Sequence, residues 1–219
     1  MASAPQKENS GVPIVKPRYW NEATRELARR DAVMKKLIAQ YKGYVMGSRG
    51  DAFQTLARAI VGQQISVKAA QSVWERFAAT HEAVTPAVVS RSSVEHLRGC
   101  GLSVQKSNYI LDLATRFDNG SLQPARWKRM PDEELTAELM RVKGIGRWTA
   151  EMFLIFNLAR PDIYPVGDLG LQKAVALHYN KGRKVTPARL LRIGAAWAPW
   201  RSVATWYLWR SLDPIPVEY

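Results

Sequence analysis

Cysteine is nearly absent from this sequence: among 219 residues only Cys100 carries a thiol. One thiol cannot close an internal disulfide, which excludes a disulfide-stapled secreted scaffold. Nor can it supply the thiolates of a zinc or iron–sulfur centre. Histidine is almost as sparse. His81, His96 and His178 stand far apart in the chain, so none is expected to ligate a metal, and Cys100 is expected to be a small buried residue. No apolar run approaches the length of a transmembrane helix. Residues 1–17 lack the apolar core of a signal peptide and are expected to form a loosely ordered leader on a soluble, cytoplasmic chain. Acidic residues are the minority, 19 Asp and Glu against 32 Lys and Arg, for a net charge of +13. On a chain with the 47% hydrophobic content of a globular protein, that excess points to a polyanionic partner.

Alternation of apolar and polar residues, the mark of a half-buried strand, is also missing, and no long repeat is present. What remains is helical spacing almost throughout. Leu27, Val33, Met34, Leu37 and Ile38 stripe one or two helices between Asn21 and Tyr41, and Gly43 to Gly50 breaks them. Asp51 opens a helix with Phe53, Leu56, Ala57, Ile60 and Val61 on its apolar face. Gly62-Gln63-Gln64 interrupts it, and a further helix follows from about Ser66 to Ala79. Ser92 and Glu95 have the spacing of a capping box. Helices are predicted over 103–117, from Pro131, over 148–158 and from Asp168. Thr186-Pro187 and Ala198-Pro199 read as caps with proline in the first turn. The expected fold class is all-α, roughly ten helices joined by short loops.

The most informative stretch is Met140-Arg141-Val142-Lys143-Gly144-Ile145-Gly146-Arg147-Trp148-Thr149. Its glycines let a backbone bend and approach a ligand without a Cβ in the way. Free amides at the start of the next helix, with the helix dipole, suit a phosphate, and Lys143 and Arg147 add charge. About twenty residues on, Pro165-Val166-Gly167 forms a tight loop that ends at Asp168, placed to cap a helix whose positive end keeps a carboxylate ionised. Such an anion can stabilise positive charge that develops beside it.

Hairpin, loop and carboxylate together resemble the helix-hairpin-helix (HhH-GPD) base-excision DNA glycosylase superfamily. Within it they resemble the bacterial 3-methyladenine DNA glycosylase II family, over about Arg49 to Leu212 and including Pro199-Trp200-Arg201-Ser202. The resemblance implies two helical lobes with a cleft between them. Residues 51–165 would form the lobe with the hairpin, and 18–50 with 166–219 the other. It implies Asp168 as the catalytic carboxylate and a base pocket drawn from Trp148, Trp209, Met152 and Leu169, with Met152 and Leu169 standing where some members carry aromatics. DNA contacts would come from Gln63, Gln64, Ile65, Ser66, Lys143, Gly144, Ile145, Gly146, Arg147, Thr149 and Arg201. Gln64 or Ile65 would wedge into the gap left by the flipped base.

Where the family's glycosylase/lyases carry a Schiff-base lysine, this chain has Trp148, so a monofunctional enzyme is expected. An indole face also attracts the positive charge of an alkylated purine such as 3-methyladenine or 7-methylguanine. No cofactor is implied as required, although the carbonyls of Met140, Lys143 and Ile145 would hold a monovalent cation, sodium or potassium. The implied partner is damaged double-stranded DNA, bound by a nucleoid-associated monomer with no membrane attachment. Two readings stand beside this one: a glycosylase for another lesion class, and a non-catalytic hairpin module that only binds DNA.

Overall fold

A computed structural model describes residues 16–47 and 50–212, so all but the last two residues of the predicted leader lie outside the described residues. Among the described residues there are thirteen helices and no strand. None of these helices is long and apolar enough to cross a membrane. They fall into two compact units. One spans 50–153, and the other joins the described residues before 48 to those from Leu154 onward. The second boundary therefore lies inside a helix after Phe153, not near residue 165 as expected from sequence, because the end of that helix packs with the second unit.

The first unit, the hairpin unit, holds α3 (Ala52–Gly62), α4 (Val67–Ala79), α5 (Pro86–Val89), α6 (Val94–Gly99), α7 (Val104–Asp118), α8 (Pro124–Trp127), α9 (Asp132–Leu139) and most of α10 (Arg147–Phe156). Asp51 starts α3 as expected, its Oδ1 accepting the Gln54 amide at 2.9 Å, and the whole predicted apolar stripe of α3 is buried. The capping box is displaced by one residue. Ser93, not Ser92, accepts the His96 amide and caps α6. The Ser92 hydroxyl is instead 3.0 Å from His81 Nε2. A relay of edge-to-face rings, Phe53–Phe117–Trp127–Phe153, runs from α3 to α10 at centroid separations of 5.5, 5.8 and 5.5 Å. Such rings bury large apolar areas and fix the geometry between helices. Cys100 is buried, as its sequence setting suggests.

The second unit holds α1 (Trp20–Arg30), α2 (Ala32–Gln40), α11 (Leu169–Tyr179), α12 (Pro187–Ala195) and α13 (Arg201–Leu212). Residues 202–208 of α13 are all buried, which makes it the central helix of this unit. Asp31 divides α1 from α2 by taking an extended conformation. Its Oδ1 caps α2 through the Val33 and Met34 amides, and its Oδ2 accepts Tyr179 Oη–H at 2.8 Å and Trp197 Nε1–H at 3.0 Å. One carboxylate thus ties α2, α11 and the segment before α13, leaving no lone buried hydroxyl or indole among them. Burial pushes the Tyr179 hydroxyl far above its ordinary pKa, so it stays a donor. Thr186 caps α12 with Pro187 behind it, as predicted. The last helix begins at Arg201, so Pro199 precedes it instead of lying in its first turn as expected, and the Ala198–Pro199 bond is cis.

Candidate active site

In the hairpin unit, α9 ends at Leu139 and α10 starts at Arg147, so the glycine-containing stretch between them is a tight connection, as predicted. Gly144 takes φ +83°, and a Cβ there would fall inside the Tyr109 ring. Only glycine satisfies both conditions. Not every amide of the turn is available to a ligand. The Lys143 N–H donates to Asp112 Oδ2 at 2.9 Å, and the Ile145 N–H to the Val142 carbonyl at 3.1 Å. Among the described residues, no chain acceptor takes the amides of Gly144, Gly146, Arg147 or Thr149. Those are the donors this turn presents.

Several residues expected to reach DNA are already engaged. Gln63 Nε2 donates to the Gly144 carbonyl at 2.8 Å, so this side chain braces the hairpin. Arg147 forks onto Glu133 at 3.1 and 2.9 Å and lies 3.7 Å from Glu151. The bond from Arg147 holds the Glu133 carboxyl below its ordinary range. The Thr149 side chain (8% exposed) and Ile145 are buried, so what they offer outward is backbone. Gln64 and Ile65 are exposed at the apex of the turn between α3 and α4, with Gln64 at φ +58°. Ser66 caps α4 through the Ala69 amide. Of the residues expected in the base pocket, Trp148 (42% exposed) lies in the first turn of α10, whereas Met152 is buried.

In the second unit Asp168 is the N-cap of α11, as predicted. Its Oδ1 accepts the Leu171 amide at 2.6 Å and the Trp209 indole N–H at 2.7 Å. Trp209 is stacked on Phe156 with ring centroids 5.8 Å apart, which fixes the plane of the indole that bonds the carboxylate. Gly170 leaves room for this bond: a Cβ there would stand 3.1 Å from Asp168 Oδ1 and 3.3 Å from the indole. Leu169, by contrast, is 78% exposed. Arg201 is committed within its unit, with Nε and Nη2 each 2.8 Å from the two oxygens of Asp162 and its amide 3.2 Å from Oδ1. That fork pins the start of α13 to the loop before Asp168. Sequence reasoning passed over Asp112, Tyr109, Lys106 and Phe156. The first three lie at i, i+3 and i+6 on α7, a spacing visible in the sequence but without meaning until its neighbours are known.

Among the described residues, then, a glycine hairpin between two helices is followed by a carboxylate that caps a third, the arrangement implied by the sequence resemblance. The family model of the HhH-GPD superfamily base excision DNA repair proteins matches residues 57–199. DNA-3-methyladenine glycosylase 1 of Schizosaccharomyces pombe is 32% identical over 181 residues, 80% of this chain and 79% of that protein. DNA-3-methyladenine glycosylase 2 of Escherichia coli is 27% identical over 172 residues, and the match spans 57% of its length. The crystal structure of a Bacillus halodurans DNA-3-methyladenine glycosidase superposes with a TM-score of 0.81 at 32% identity, covering 87% of this chain and 89% of that one. The S. pombe 3-methyladenine DNA glycosylase in complex with abasic DNA gives 0.77 at 29% identity, covering 90% and 98%. The chain belongs to the HhH-GPD superfamily of base excision DNA repair proteins, and within it to the family of the DNA-3-methyladenine glycosylases.

Proposed function

We propose that this protein is a monofunctional DNA glycosylase. It binds duplex DNA as a monomer at the bacterial nucleoid, flips out an alkylated purine and hydrolyses its N-glycosidic bond, leaving an unbroken abasic site. The observation that carries this reading is the Asp168 carboxylate, held at the positive end of α11 by the Leu171 amide and the Trp209 indole. As the bond breaks, its electron pair leaves with the base and positive charge builds at C1′, which the fixed carboxylate stabilises. A water oxygen then bonds to C1′, and its proton passes to the carboxylate. Trp148 supplies an aromatic face for a cationic base and no amine for a Schiff base, so the sugar–phosphate chain is left intact.

DNA is gripped through the unclaimed amides of the hairpin. The carbonyls of Met140, Lys143 and Ile145 accept no hydrogen bond among the described residues, and neutral oxygens of this kind fit a monovalent cation. Such an ion would stiffen the turn and add positive charge beside a phosphate. No residue used in the chemistry depends on it.

Asp168→Asn tests the assignment cleanly. Asparagine caps helices well, and its Oδ1 can still accept from Leu171 and Trp209, so the charge is lost while both of these bonds are kept. On methylated duplex DNA, wild type is expected to release 3-methyladenine and leave unbroken abasic sites. The variant is expected to bind DNA with unchanged affinity and lose base release by at least about a hundredfold. Unaltered release would overturn the catalytic role of Asp168. Absence of release by wild type from alkylated, deaminated and oxidised DNA would leave a DNA-binding module.

A further inference from the structure

One face of α7 joins the two loops of the hairpin unit that carry the proposed DNA contacts. Lys106 Nζ donates to the Val61 carbonyl at 2.7 Å, at the end of α3 and just before the exposed Gln64 turn. One helical turn on, the Tyr109 ring packs against Gly144. A further turn on, Asp112 Oδ2 accepts the Lys143 amide at 2.9 Å and is held in place by Arg116, also at 2.9 Å. The circuit is closed by Gln63, which extends from the Gln64 turn to the Gly144 carbonyl at 2.8 Å. Burial lowers the pKa of the Lys106 ammonium, which donates to the Val61 carbonyl.

We propose that Gln63 is a positioning residue: with the Lys106–Tyr109–Asp112 face of α7, it locks the Gln64 turn and the hairpin at one fixed spacing. The inference rests on the reading of the turn as the element that fills the gap beside a flipped base and of the hairpin as the phosphate grip. A grip on the backbone holds the duplex still, and a turn at fixed distance from that grip can then enter the stack at the lesion and nowhere else. Cutting the link leaves the grip and the carboxylate in place but lets the turn drift. Extraction of a stacked base suffers, and cleavage of a base that is already unstacked does not.

The test compares single-turnover base release from methylated duplex and methylated single-stranded DNA for wild type, Gln63→Glu and Lys106→Met. Glutamate keeps the shape of glutamine but presents an acceptor to the Gly144 carbonyl, and methionine keeps the stem of lysine without the donor. Each variant is expected to slow release from duplex at least tenfold while changing release from single strands less than threefold. The double variant is expected to lose no more than the worse single one, because both act on one brace. Equal losses on the two substrates, or no loss on duplex, would overturn the proposal. Should wild type release no base, the glycosylase reading falls, and the brace is judged by binding to a duplex with a single abasic-site analogue. Gln63→Glu is then expected to lose the preference for that duplex over an undamaged one, and a retained preference would overturn the brace.

Discussion

At the scale of single residues, the proposed chemistry depends on how the Asp168 carboxylate is held. Oδ1 takes both the Leu171 amide and the Trp209 indole, so the carboxylate is oriented by two donors from different helices. Trp209 is therefore an orienting group as well as an aromatic surface. Trp209→Phe keeps the ring stacked on Phe156 and removes only the N–H. A hydrogen bond to a charged group contributes about 1.5–3 kcal/mol. Base release is expected to slow by about ten- to a hundredfold in single-turnover assays. A variant that melts early but turns over normally would show that the indole N–H is structural. The position of Asp168 was legible in the sequence because a cap is a local device, set by Pro165, Gly167 and the helix that follows. Its indole partner, forty-one residues away, was not.

At the scale of elements, helices with strong apolar stripes were legible to within a residue or two, as α3 and α7 illustrate. The one-turn helices α5 and α8 were not, since four residues carry no periodicity. The choice between Ser92 and Ser93 as cap turned on His81, which claims Ser92 from the bend after α4. The hairpin gives a sharper case. Its glycines were visible in sequence, but the reason Gly144 admits no substitute is the Tyr109 ring above it. Gly144→Ala is expected to destabilise the hairpin unit by about 1–3 kcal/mol, from the positive φ and from overpacking. Urea unfolding would measure this, and DNA affinity should fall with it as the turn is displaced. A variant as stable as wild type would mean that Tyr109 can swing away.

At the scale of the molecule, the positive charge is unevenly shared. The described residues of the Asp168 unit carry 17 Lys and Arg against 5 Asp and Glu, net +12. The hairpin unit carries 13 against 11, net +2. The exposed loop between α11 and α12 contributes Lys181, Arg183 and Lys184, none in an ion pair among the described residues. Asn180 stiffens that loop by donating to the carbonyls of Arg183 and Lys184. DNA binding is expected to weaken steeply with salt. Replacing all three cations with glutamine is expected to flatten the slope of log K against log salt by up to about three, with base release at saturating DNA unchanged. An unchanged slope would exclude this loop from the DNA face.

By itself the sequence determined the all-α class, the glycine hairpin and the capping Asp168. Each is written in a few adjacent residues through helical period, backbone freedom or side-chain chemistry. Only the tertiary structure decided which of the polar side chains expected to reach DNA are already engaged within the fold. Gln63 is bonded to Gly144, Arg147 to Glu133 and Arg201 to Asp162, at separations of 81, 14 and 39 residues. A hydrogen bond is satisfied by whatever lies within about 3 Å, and the chain path that brings a distant acceptor that close leaves no local mark in the sequence.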